Sequence, residues 1–223
     1  ATLQSLPLTW VARIGRAGGG LFYLIDARHR KVALKNLQRC FGNEKSTEEL
    51  RAIARENFKR IGENFCCATK TAAMTLADLK GRIEFVGAEK HLPKNQEAPQ
   101  TCVVAIGHFG NFEIYARYGQ FLPMFKTAAT YRGLRQPSLN RLMQSLREKS
   151  GCLFFERRTD AAALKAAMSQ PGIILGLLAD QHAGNNGLRI PFFGHECSTS
   201  AAPAIFALRY NCPLATAICY RVG

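Results

Sequence analysis

A chain of 223 residues, 47% hydrophobic and 21% charged, has the composition of a folded protein with one sizeable core, which excludes a disordered or low-complexity chain. Thirty Lys and Arg against 16 Asp and Glu give a formal charge of +14, so the partner to expect is anionic: nucleic acid, anionic lipid or a phosphorylated substrate. Eight cysteines occur with no C-x-x-C pair, and nothing at the N-terminus reads as a cleavable signal, so they read as reduced, mostly buried thiols in a cytosol-facing protein rather than a disulfide framework.

Residues 3 to 25 place Leu3, Leu6, Trp10, Ile14, Ala17, Leu21, Leu24 and Ile25 on one helical face, flanked by Arg13 and Arg16. The longest uncharged run, Ala17 to Ile25, falls short of the roughly 20 residues a spanning helix needs. An interfacial helix is therefore expected, with Trp10 and Tyr23 as headgroup-level anchors; an ordinary helix covering the core is the alternative. Gly18-Gly19-Gly20 predicts a weakened or kinked helix. Arg28-His29-Arg30-Lys31, Lys35 and Arg39 follow, either a solvated face or a basic strip on an anionic membrane, where each charge contributes about 1 kcal/mol. Residues 1–40 thus read as an N-terminal amphipathic, basic, membrane-associating segment, peripheral or singly anchored, and 41–223 as the α/β domain.

Ser46-Thr47-Glu48-Glu49 is a capping box opening a long helix with Leu50, Ile53, Phe58, Ile61 and Phe65. A polar, proline-containing loop is expected from Pro93 to Gln100. Beyond it strands are predicted at 102–106, 125–130, 152–155, 173–178 and 214–219, and helices at 111–120, 138–149, 160–169 and 200–210. Pro137 suits a first helical turn, and Thr159 or Asp160 an N-cap. This alternation predicts the α/β class: a single domain with a mainly parallel sheet flanked by helices. The end of the chain at Gly223, just after an expected strand, reads as a C-terminal truncation.

In such folds chemistry sits at the carboxyl ends of strands, where His108 and Asp180 both fall. His108 is followed five residues later by Glu113, in Gly107-His108-Phe109-Gly110-Asn111-Phe112-Glu113. Five residues of regular helix are about 140° of rotation, so the two can meet only if His108 precedes the helix and Glu113 lies in its first turns. An imidazole held by a carboxylate is a general base for a hydroxyl proton. Gly107 and Gly110 leave room for a substrate, and Asn111 is a candidate oxyanion donor.

Five ordered blocks resemble the lipid A biosynthesis acyltransferases, the late lauroyl and myristoyl transferases, within the lysophospholipid and glycerolipid acyltransferase superfamily. They are Leu6-Pro7-Leu8 with Lys35-Asn36-Leu37-Gln38-Arg39-Cys40-Phe41-Gly42; Gly107 to Glu113; Tyr131-Arg132 with Pro137 to Gly151; Ala179-Asp180-Gln181 with Ile190-Pro191-Phe192-Phe193-Gly194; and Thr199-Ser200. The resemblance implies that His108 deprotonates an acceptor hydroxyl, that Glu113 orients the imidazole, and that Asn111, Arg132, Arg147 and Asp180 serve substrate binding or site geometry. It further implies a co-substrate, an acyl carrier protein or coenzyme A thioester, with no cofactor and no metal. The acceptor would be an anionic glycolipid or phospholipid at the cytoplasmic face of a bacterial inner membrane. The readings left open are a lysophospholipid or phosphatidylinositol mannoside acyltransferase and, in another class, a non-catalytic basic membrane-binding protein. No G-x-S-x-G elbow, metal spacing or dinucleotide fingerprint occurs, and the aromatics do not interleave with the basic run as nucleic-acid binding would require.

Overall fold

Pro7 and Asp26 divide the front of the chain. In the computed structural model, which describes residues 2–93, 98–133 and 136–222, a helical turn at Thr2–Ser5 precedes the helix Leu8–Ile25. Asp26 then ends that helix and caps the next, Ala27–Phe41, by accepting from the His29 amide at 3.0 Å. The predicted capping box is formed: the Ser46 amide donates to Glu49 Oε2 at 2.7 Å and the Glu49 amide to Ser46 Oγ at 3.2 Å, opening the helix Thr47–Ala73. Of the loop expected between Pro93 and Gln100, residues 94–97 lie outside the described residues.

The described residues group into two units, those within 2–70 and 190–197, and those within 71–189 and 198–222. In the first, the buried residues of Leu8–Ile25 are Val11, Gly15, Gly19 and Tyr23, each four residues from the next. Gly15 lies against the backbone of Gly62 and Glu63, and Gly19 against that of Phe58 and Lys59. The glycines therefore bring two helix backbones together instead of kinking one, and the helix runs unbroken. With the small residues facing inward, the apolar stripe faces out: Trp10 is 56% exposed, Leu21 60% and Leu24 64%. Tyr23 is not an anchor, because its ring is buried edge-on to Phe58 at 5.4 Å, under the guanidinium groups of Arg30 and Arg55. No helix among the described residues is long and apolar enough to cross a membrane.

Two neighbouring glycines should respond oppositely to one methyl group. Gly19→Ala drives a Cβ into the Phe58 carbonyl, and overpacking of that kind costs roughly 1–3 kcal/mol. Gly18 has nothing within 4 Å of its Cβ position, so Gly18→Ala should stabilise by about 0.8–1.0 kcal/mol through helix propensity alone. Thermal melts should therefore move down for the first and up for the second.

The second unit carries the sheet. Its strands are β1 (Cys102–Ile106), β2 (Lys126–Tyr131), β3 (Leu153–Glu156), β4 (Ile173–Leu178) and β7 (Leu214–Ala217), and a separate ribbon is made of β5 (Leu188–Phe192) and β6 (His195–Thr199). The sheet order is β3-β2-β4-β1-β7, and all four pairings are parallel, as strand–helix alternation predicts. Alternation along β4 turns Ile173, Leu175 and Leu177 to a core shared with Val103, Leu164 and Met168. On its other face Gly176 leaves the space that the Ile106 side chain fills.

Three local expectations change. The helix predicted over 111–120 is a 3-10 helix, Phe112–Arg117, followed by one α turn, Tyr118–Phe121. Its buried Arg117 donates to the carbonyls of Thr71 and Met74, both at 2.7 Å, where the preceding long helix runs out of partners. Asp160 precedes its helix but braces the preceding loop, accepting from the Glu156 amide at 2.7 Å. The ribbon is the third difference. A two-residue link, Phe193-Gly194, joins its strands with φ of 50° and 71°, the backbone of a type I′ hairpin turn. Asn or Gly is favoured at the first of these positions, and a phenylalanine held there costs roughly 1–2 kcal/mol.

Candidate active site

β1 and β4 run side by side with Ile106 opposite Leu178, so the residues two past each strand end, His108 and Asp180, emerge together. Asp180 grips the histidine twice. Its Oδ1 lies 2.7 Å from His108 Nδ1 and its Oδ2 accepts the His108 backbone N–H, also at 2.7 Å. A carboxylate only accepts, so Nδ1 carries the proton, and Nε2 is the nitrogen with a lone pair for substrate. The Phe112 ring meets the imidazole edge-on, centroids 4.9 Å apart, and fixes its plane. Partial burial pushes the Asp180 carboxyl up, but the ring and backbone hydrogen bonds from His108 outweigh it, and the group titrates below the ordinary aspartate value. A depressed carboxylate is ionised throughout the neutral range, and this grip is lost only as pH falls through the folded-state value, below 3.8.

Glu113 is not on the imidazole. A 3-10 helix turns about 120° per residue, so Phe112 and Glu113 face different directions, and the side directed at His108 belongs to Phe112. Glu113 instead takes a two-pronged contact from Arg147, Nη2 to Oε1 at 2.8 Å and Nε to Oε2 at 3.4 Å. Arg147, in the last turn of the helix Pro137–Glu148, also lies over the rings of Tyr131 at 5.9 Å and Phe154 at 5.1 Å. Its guanidinium is thereby fixed in place. The role expected of Glu113 thus falls to Asp180, which holds the histidine, while Glu113 holds the arginine.

The cysteines nearby are unsuited to nucleophilic attack. Burial pushes the Cys152 thiol up to about 12, against opposing contributions from Thr127 and Arg147. Cys219, whose carbonyl backs onto Gly110, is also raised by burial, against a hydrogen bond from the Asn111 amide. Thiols in that state hold their protons and are poor nucleophiles at neutral pH.

The family model described as bacterial lipid A biosynthesis acyltransferase matches residues 1–223. The chain belongs to that family. It is accordingly an acyltransferase, a conclusion reached independently of the histidine geometry. No curated protein matches the chain.

Within this lipid A acyltransferase family member the remaining predicted residues are separated. Asn111 faces inward: its Nδ2 donates to Thr71 Oγ1 at 3.0 Å and its Oδ1 is buried without a hydrogen-bond partner among the described residues. That orientation does not suit Asn111 as the candidate oxyanion donor that the sequence offers. Arg132 stands exposed one residue beyond β2, at the same carboxyl edge of the sheet as His108 and Asp180. Phe112 and Thr71, which position the imidazole and Asn111, carried no chemical signal in the sequence.

Proposed function

We propose that this acyltransferase moves a fatty acyl chain from an acyl carrier protein or coenzyme A thioester to a hydroxyl of an anionic glycolipid, such as a lipid A precursor. The observation that carries the reading is the His108–Asp180 pair at the carboxyl ends of adjoining parallel strands. In the proposed step His108 Nε2 takes the proton of the acceptor hydroxyl while its oxygen attacks the thioester carbonyl carbon. The tetrahedral intermediate collapses with loss of the C–S bond, and the departing thiolate receives the proton from the imidazolium. Asp180 holds the correct tautomer and faces the positive charge that develops on the ring. Direct attack fits the protonated state of Cys152 and the raised pKa of Cys219, since neither thiol is poised to form an acyl-enzyme.

Arg132 is an exposed cation at the sheet's carboxyl edge and would meet a phosphate on either substrate; Arg147, already committed to Glu113, shapes the site. The site works at the cytoplasmic face of a bacterial inner membrane, with the outward apolar stripe of Leu8–Ile25 lying in the interface and the net charge of +14 drawing the chain to anionic lipid or to an acidic carrier protein. The test is mass spectrometry of lipids from cells that lack their own late acyltransferases and express this chain. A glycolipid precursor heavier by one acyl chain is expected. An unchanged lipid profile, with the protein folded and at the membrane, would contradict the reading.

A further inference from the structure

The ribbon β5–β6 takes no part in the chemistry above, and its tip is built in an unusual way. Ile190 and Phe192 share one face of β5, and every residue of that strand is exposed, Phe192 at 63%. Phe193 is 50% exposed and occupies the left-handed turn position that disfavours it. Half or more of each ring stays exposed despite the edge-on contact between Phe192 and Phe193 at 4.8 Å, so a use for this apolar surface is sought outside the chain.

Within the first unit this tip is fastened to a basic surface. The Phe193 ring meets Phe41 edge-on at 5.0 Å, and His195 Nε2 lies 3.3 Å from the Arg39 carbonyl oxygen. Both contacts fall at the C-terminal end of the helix Ala27–Phe41. That helix contains no carboxylate, and its exposed Arg28, Lys31, Lys35 and Arg39 recur at intervals of three and four, which sets them along one side. Exposed apolar tip and cationic strip side by side are complementary to one kind of partner, a bilayer with an apolar interior and anionic headgroups.

We infer that the β5–β6 ribbon is a second membrane-insertion element, in which Ile190, Phe192 and Phe193 enter the acyl region while the Ala27–Phe41 helix lies on anionic headgroups. This rests on the membrane-surface reading given under the proposed function and adds to it a site of insertion remote in sequence from the N-terminal helix. A second insertion adds orientation to affinity, because two anchors remote from each other in sequence restrict rotation that either alone would allow.

The full chain should be tested by sedimentation with vesicles of phosphatidylglycerol and phosphatidylethanolamine. Phe192→Ser with Phe193→Asn removes both rings and supplies the residue that the turn prefers, which offsets the lost contact with Phe41; an unchanged melting curve checks that the fold is kept. Leu21→Ser with Leu24→Ser does the same for the N-terminal helix face. The ribbon variant is expected to bind at least roughly tenfold more weakly than the parent, because two rings leave the acyl region. In a Trp10→Phe background, which removes the only tryptophan, Phe193→Trp should be quenched by brominated acyl chains. If the ribbon variant sediments like the parent while the helix variant is impaired, the ribbon inference is overturned and the membrane reading stands. If the parent itself fails to bind anionic vesicles, both fall. A ribbon variant that loses self-association and keeps vesicle binding would mark the tip as a contact between copies and overturn insertion.

Discussion

His108→Ala should fold like the parent and lose roughly a hundred- to ten-thousand-fold in kcat, the range that general-base assistance supplies. The side chain is partly exposed and meets the Phe112 ring edgewise, so its removal leaves no large cavity. The substitution also keeps the backbone N–H that Asp180 Oδ2 accepts. What it removes is the Nε2 lone pair that takes the hydroxyl proton. Binding of the acyl donor should be nearly unchanged, so kcat falls and KM moves little. An unaltered melting curve beside a collapsed turnover is the expected pair of results.

Asp180→Asn should cost roughly a hundredfold or more, although it changes neither shape nor volume. The asparagine NH2 must occupy one of the two positions now held by carboxylate oxygens. Facing Nδ1, it donates to the ring, moves the proton to Nε2 and leaves no lone pair for the substrate. Facing the His108 amide, it sets donor against donor and displaces the loop. Both outcomes disable the same nitrogen. Glu113→Gln should cost about tenfold or less, because it weakens one partly exposed ion pair while Arg147 remains stacked on Tyr131 and Phe154.

Much of this site is visible in the sequence, for identifiable reasons. The apolar run before Gly107 and the run Ile173–Leu178 are recognisable as buried parallel strands from their branched aliphatics, and a polar residue just past each marks a strand end. Their adjacency is not visible. It depends on β4 inserting between β2 and β1, which brings together residues 72 apart in the chain. Glu113 is the nearer carboxylate in sequence, and only the 3-10 winding of Phe112–Arg117 turns it away. A period of three and a period of 3.6 are too alike over six residues to be told apart.

The first helix illustrates a related limit. Its apolar stripe is legible, but hydropathy gives no sign that the glycine face is the one that packs inward. The exposure of Trp10, Leu21 and Leu24 accords with the interfacial helix expected from the sequence, whereas the glycine contact that produces it does not show in hydropathy. The ribbon went unrecognised because Pro191 lies within β5, and proline inside a short run argues against a strand unless that strand is unpaired on one side. Its isolation as a two-stranded ribbon is what makes the proline acceptable.

The most direct measurement compares kcat for transfer of a labelled acyl chain by the parent, His108→Ala, Asp180→Asn and Glu113→Gln under one condition at neutral pH. The geometry predicts that the His108 and Asp180 variants fall together by roughly two orders of magnitude or more while Glu113→Gln stays within about a factor of ten. A near-normal Asp180→Asn beside a Glu113→Gln as inactive as His108→Ala would contradict it, and would assign the working imidazole to Glu113.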